Sequence, residues 1–91
     1  MKGKVYFKDG HIEEIVNCIV DNEPVKLMGQ SIPRMQVEFE AASGKYIYDE
    51  STRPIGALQM KESKFWKYQY TDSPFESPYM ITEDIDRIEL I

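Results

Sequence analysis

The chain has 91 residues, 42% of them hydrophobic and 12% aromatic, with a net charge of −5. That length makes one domain, residues 1–91, and that apolar content is too high for a disordered segment. No apolar run approaches the roughly 20 residues of a membrane-spanning helix, and one cysteine allows no internal disulfide, so a cytoplasmic protein is expected.

Met1-Lys2-Gly3-Lys4 leads into a strand-like pattern rather than the apolar stretch of a signal peptide. In "KVYFK", Val5 and Phe7 point one way while Lys4, Tyr6 and Lys8 point the other, the period of a sheet with one wet face. Asp9-Gly10 follows, a preferred pair for a type I′ hairpin turn. Residues 11–21 carry two patterns. Ile12, Ile15, Val16, Ile19 and Val20 fall at the spacing of an amphipathic helix. Three Ile and two Val in nine residues nevertheless suit a strand better, and a strand is the expectation.

Breaks are frequent after that: Asn22-Glu23-Pro24, Gly29, Pro33, Ser43-Gly44, Pro54-Ile55-Gly56, Pro74 and Pro78. Short segments between breaks favour strands over long helices. "RMQVEFE" alternates Met35, Val37 and Phe39 with Gln36, Glu38 and Glu40. "AASG" turns it into "KYIYD", so residues 34–49 read as a hairpin. "KFWKYQY", residues 64–70, reads as an aromatic strand. The prolines of "TDSPFESPYM" bar it from a central strand, and "DRIELI" places Ile88 and Leu90 inward. Residues 50–62 and 71–81 carry no clear pattern. The expected fold is mostly β: a single small antiparallel sheet, a meander or open barrel of five to six strands. The alternative is α+β with one helix at about 11–21.

Little in this pattern supports catalysis. His11 and Cys18, single examples of their kind, would stand about 23 Å apart on a straight strand or about 10.5 Å apart along a helix. Neither spacing makes a nucleophile–base pair. Zinc needs three or four N/S ligands, which one His and one Cys do not supply. The chain has no G-x-S-x-G, P-loop or G-x-G-x-x-G. Glu13/Glu14, Asp49/Glu50 and Glu83/Asp84 are adjacent pairs, and adjacent strand residues face opposite ways. "EDIDRIE", residues 83–89, lacks the glycine and further oxygen ligands of a calcium loop. No enzyme, metal or cofactor is expected; a small enzyme or metal-binding protein ranks last of the three readings.

Two features suit binding. Trp66, Tyr68 and Tyr70 line one face of the aromatic strand, with Lys61, Lys64 and Lys67 interleaved. Such rings ordinarily build a core, but they also serve as interface anchors or as stacking platforms for single-stranded bases. The second feature is the location of charge. Residues 1–70 balance ten basic against ten acidic groups, whereas residues 71–91 set Arg87 against Asp72, Glu76, Glu83, Asp84, Asp86 and Glu89. That end attracts a basic partner and repels phosphate, which argues against nucleic acid.

"YFKDGHIEEI", "SGKYIYDE" and "IDRIELI" together resemble small uncharacterised β-rich proteins of phages and mobile elements in bacteria. The resemblance covers about a third of the chain, and it implies a single-domain accessory protein that acts by binding, such as an acidic inhibitor or adaptor of a nucleic-acid-handling protein. The functional expectation is a non-enzymatic protein–protein interaction module with a basic partner. Its site would comprise Trp66, Tyr68, Tyr70, Asp72, Glu76, Glu83, Asp84, Asp86 and Glu89. The alternative is a single-stranded nucleic-acid binder using the 64–70 strand. Open sheet edges also make self-association an expectation.

Overall fold

The computed structural model describes residues 3–91, the side chains of Leu27 and residues 53–55 excepted. Among the described residues, ten strands form three antiparallel sheets. β1 (Gly3–Phe7) lies between β2 (Ile12–Ile15) and β10 (Ile85–Leu90) in a three-stranded sheet. The five-stranded sheet runs in the order β3 (Asn17–Asp21), β6 (Arg34–Ala41), β7 (Gly44–Ile55), β8 (Leu58–Tyr68), β9 (Tyr79–Thr82). β4 (Val25–Leu27) and β5 (Gln30–Ile32) make a separate hairpin.

This corrects the expectation of one sheet. Two segments serve both main sheets because each bends. Between β2 and β3 the ladder breaks at Val16, whose N–H donates to the Glu40 carbonyl at 2.9 Å. Between β9 and β10 it breaks at Glu83-Asp84, where the Asp84 carbonyl accepts the Lys8 N–H at 2.8 Å. The pairings therefore run round from β1 back to β1 through two bent segments, but no sheet closes into a barrel. No helix occurs among the described residues, so the helical alternative at 11–21 falls. The β-branched residues there extend as strands.

The turn chemistry is also redistributed. The β1–β2 loop is three residues, with the Gly10 N–H donating to the Phe7 carbonyl at 3.0 Å and Phe7 N–H to that of His11 at 3.0 Å. Gly10 alone has positive φ there, 97°, the pattern of a three-residue hairpin rather than type I′. The positive pair that type I′ requires occurs instead at Met28 (50°) and Gly29 (79°), linking Leu27 to Gln30.

Alternation decides what is buried. Val5 and Phe7 of β1, Ile15 of β2, Val37, Phe39 and Ala41 of β6, Tyr46 of β7 and Ile85 of β10 form the core between the two main sheets. Cys18, Val20, Met35, Tyr48, Phe65, Ile88 and Leu90 pack around it. The 50–62 region forms the outer half of the long β7–β8 hairpin. Residues 69–78 form the β8–β9 loop, which holds Pro74 and Pro78 outside the ladder, and β9 lies at a sheet edge.

Candidate functional site

Directly opposed residues of antiparallel strands share a face. One row of the five-stranded sheet is therefore Cys18, Phe39, Tyr46, Lys67 and Met80, on the core side. The row one residue along is Ile19, Glu38, Ile47, Trp66 and Ile81, on the outer side. Four steps between strands make this row about 19 Å long. Ile19 is 67% exposed and Ile81 56% exposed, while Ile47 and Trp66 are half-buried. Tyr68 and Tyr79 oppose each other in the adjoining row, their rings edge-to-face at 5.4 Å.

Glu38 stands out within this row. It sits between Ile19 and Ile47, and among the described residues it meets no hydrogen-bond or ion-pair partner. Glu40, its neighbour on the same face, is opposed across the ladder by Lys45. A depression of about 290 Å³ is lined here by Asn17, Ile19, Glu38, Glu40, Lys45 and Tyr79, among others. The β8–β9 loop rises beyond the Tyr68–Tyr79 pair, closed at its base by Gln69 N–H to the Pro78 carbonyl at 2.6 Å. It carries Tyr70 and Phe75, both almost fully exposed, beside Asp72 and Glu76.

The outer face of the three-stranded sheet differs in kind. Its rows are Ile12–Tyr6–Arg87 and Glu14–Lys4–Glu89. The Tyr6 hydroxyl donates to Glu89 at 2.8 Å, and Arg87 reaches both Glu89 (2.6 Å) and the Tyr6 ring (3.9 Å to its centroid). Arg87 and then Tyr6 hold the Glu89 carboxyl below its ordinary range. Tyr6, Arg87 and Glu89 thus form one bonded group on this face, beside Lys4, Glu14 and the exposed Ile12.

The second concave feature lies where the hairpin tips meet, a cleft of about 650 Å³ that includes Asp9, His11, Glu13, Ser43, Lys67 and Glu83 in its lining. His11 stacks on Phe7 with ring centroids 4.1 Å apart. Its Nδ1 meets Asp9, and its Nε2 lies 2.8 Å from Glu13. Glu13 also accepts the Ser43 N–H at 2.8 Å, which ties the β1–β2 hairpin to the β6–β7 turn. A neutral imidazole has one N–H, so only imidazolium serves both carboxylates. The bonds to Glu13, then Asp9, raise the His11 pKa. Burial pushes Glu13 upward, and the bonds from His11 and Ser43 outweigh it, so its carboxyl stays low. Placed between the two carboxylates, His11 ties Asp9 to Glu13 through its two ring nitrogens. Cys18 is in the other sheet, packed against the core, and does not join His11. Among the described residues no three His, Cys, Asp or Glu side chains converge to hold a metal ion.

The sequence-predicted residues divide by place. Trp66 and Tyr68 share the outer face, while Tyr70 lies past the end of β8 in the loop with Asp72 and Glu76. Glu83 and Asp84 occupy the β9–β10 corner beside the His11 cleft. Asp86 is exposed on β10, at the register shift opposite Tyr6 and Phe7. Glu89 lies on the outer face of the three-stranded sheet, bonded to Tyr6 and Arg87. Sequence reasoning missed Ile19, Glu38, Ile47, Tyr79 and Ile81 as companions of Trp66, because cross-strand register is not local. It also missed the Asp9–His11–Glu13 tie, although spacing by two at a hairpin was a readable signal. No protein-family model, curated protein or solved structure matches the chain.

Proposed function

We propose that this chain is a non-enzymatic interaction module that binds a basic protein partner on the outer face of its five-stranded sheet. The observation that carries this is the contrast between the two outer faces. One is built of charged rows in which Tyr6, Arg87 and Glu89 bond to one another; the other presents Ile19, Ile47, Trp66 and Ile81 in a single row interrupted by Glu38 alone. Contiguous exposed apolar surface with a polar rim is typical of a protein-binding site. Trp66 and Tyr68 are the side chains suited to anchor a partner, since aromatic rings bring large contact area with few rotatable bonds. Glu38, Glu40, Asp72 and Glu76 around them favour encounter with cationic surfaces. An inhibitor or adaptor of phage type, occupying a cationic nucleic-acid channel, is one form of this reading.

The rival, single-stranded nucleic acid stacked on the same rings, is disfavoured by the carboxylates on that face, which repel phosphate. Trp66 is the sole tryptophan and reports directly from the row. Titration with poly-L-arginine should change its fluorescence saturably and in a salt-dependent way, and a 15-nucleotide oligothymidylate should leave it unchanged. Binding of the oligothymidylate with no response to poly-L-arginine would reverse the assignment.

A further inference from the structure

We infer that Glu38 is the anchor for an arginine side chain of the partner, with the guanidinium on the carboxylate and the aliphatic stem laid over Ile47 toward Trp66. The inference rests on the proposed basic partner and names the contact that would recognise it. Three observations carry it. Glu38 is the one acidic member of a five-residue row that is otherwise apolar. It is exposed and, among the described residues, meets no hydrogen-bond or ion-pair partner. It also opens into the depression shared with Ile19 and Tyr79.

The chemistry follows from that arrangement. A lone carboxylate between isoleucines is a poor neighbour for any incoming apolar surface, which would strip its water without replacing it. An incoming cation removes that penalty and converts it into a charge-assisted hydrogen bond. Ile47 separates Glu38 from Trp66 by one strand on each side, so the two are about 10 Å apart. An extended arginine spans much of that distance, with its methylenes on Ile47. Arginine fits better than lysine because its planar head binds a carboxylate through two N–H groups.

The test uses the full chain and an acetylated Ala-Arg-Ala-Arg-Ala-Arg-Ala peptide, followed by Trp66 fluorescence at low salt. Glu38→Gln keeps the side-chain shape at an exposed position, and an unchanged melting curve confirms that the variant is folded. The expected result is a loss of affinity of about tenfold for Glu38→Gln, the scale of one charge-assisted hydrogen bond. Glu14→Gln and Asp86→Asn, away from this face, should change it less than about threefold, within the range of screened surface charges. The lysine version of the peptide should bind more weakly to the wild-type chain than the arginine version. Equal affinity of wild type and Glu38→Gln would overturn the Glu38 assignment while leaving the basic-partner reading in place. Equal affinity of the two peptides would overturn the choice of arginine. Failure of the wild-type chain to bind either peptide would overturn the basic-partner reading, and this assignment with it.

Discussion

Alanine substitutions at Ile15 and Ile19 should separate by several kcal/mol, although both belong to the same apparent helical stripe. Ile15 is 2% exposed, at the end of β2 against the core, whereas Ile19 is 67% exposed on the outer face of β3. Ile15→Ala removes three buried carbons, about 2.4 kcal/mol at ~0.8 kcal/mol for each. The cavity left between two sheets brings the total to about 3–4 kcal/mol. A domain of this length has a total stability of roughly 5–14 kcal/mol, so the loss is a large share of it. At about 4–8 °C per kcal/mol, the melting temperature should fall by at least about 12 °C. Ile19→Ala should stay within about 0.5 kcal/mol, as exposed substitutions do. Thermal melts by circular dichroism, repeated in urea, measure both. Equal losses at the two positions would refute the assignment of residues 12–21 to two strands with a bend at Val16.

Three further outcomes follow from local geometry. Gly3→Ala should destabilise by about 1–3 kcal/mol, because an added Cβ would stand 2.1 Å from the Glu89 carbonyl oxygen; a melting point equal to wild type would contradict the β1–β10 register. Met28→Asn should slow amide exchange in β4 and β5 about fivefold, since a left-handed φ of 50° strains a methionine more than an asparagine; unchanged exchange would contradict that turn. Stability should also depend on pH through His11. Its pKa is raised in the folded chain, chiefly by Glu13 and then Asp9, so its contribution is complete below the ordinary histidine value of about 6.5 and is lost as pH rises through the folded value. Glu13 and Asp9 are lowered, so theirs is present above ordinary carboxyl values and is lost on acidification. Urea midpoints should therefore be highest near pH 5–6 and decline toward pH 8, with the decline above pH 6 abolished in His11→Gln; a wild-type decline that persists in His11→Gln would assign it to other groups.

The legible parts of the fold are those where one face is dry. Val5 and Phe7, Val37 and Phe39, and Ile88 and Leu90 alternate against charged neighbours, and each pair turns inward or packs at the core margin. The helix-like stripe at 12–20 does not mark one buried face: Ile15 and Val20 turn to the core together with Cys18, whereas Ile12, Val16 and Ile19 are exposed. The bend at Val16 shifts the inward positions from odd to even numbers, which local periodicity does not show. The 50–62 hairpin was illegible because its tip, residues 56–61, is exposed on both faces, and such a ribbon has no alternation to read. The aromatic strand showed that Trp66 and Tyr68 share a face. It did not show that Ile47, Ile81 and Glu38 join them, because pairing brings together residues from five segments of the chain. Nor did local charge counting reveal that Glu89 is neutralised by Arg87, or that the carboxylate nearest Trp66 in the row is Glu38.

The central claim is that the outer face of the five-stranded sheet is the binding surface. Amide chemical-shift mapping of the labelled chain with the arginine peptide tests it directly. Shifts should concentrate at Ile19, Glu38, Ile47, Trp66 and Ile81, with the outer face of β1, β2 and β10 unchanged. Shifts confined to Tyr6, Arg87 and Glu89, or to the His11 cleft, would contradict it.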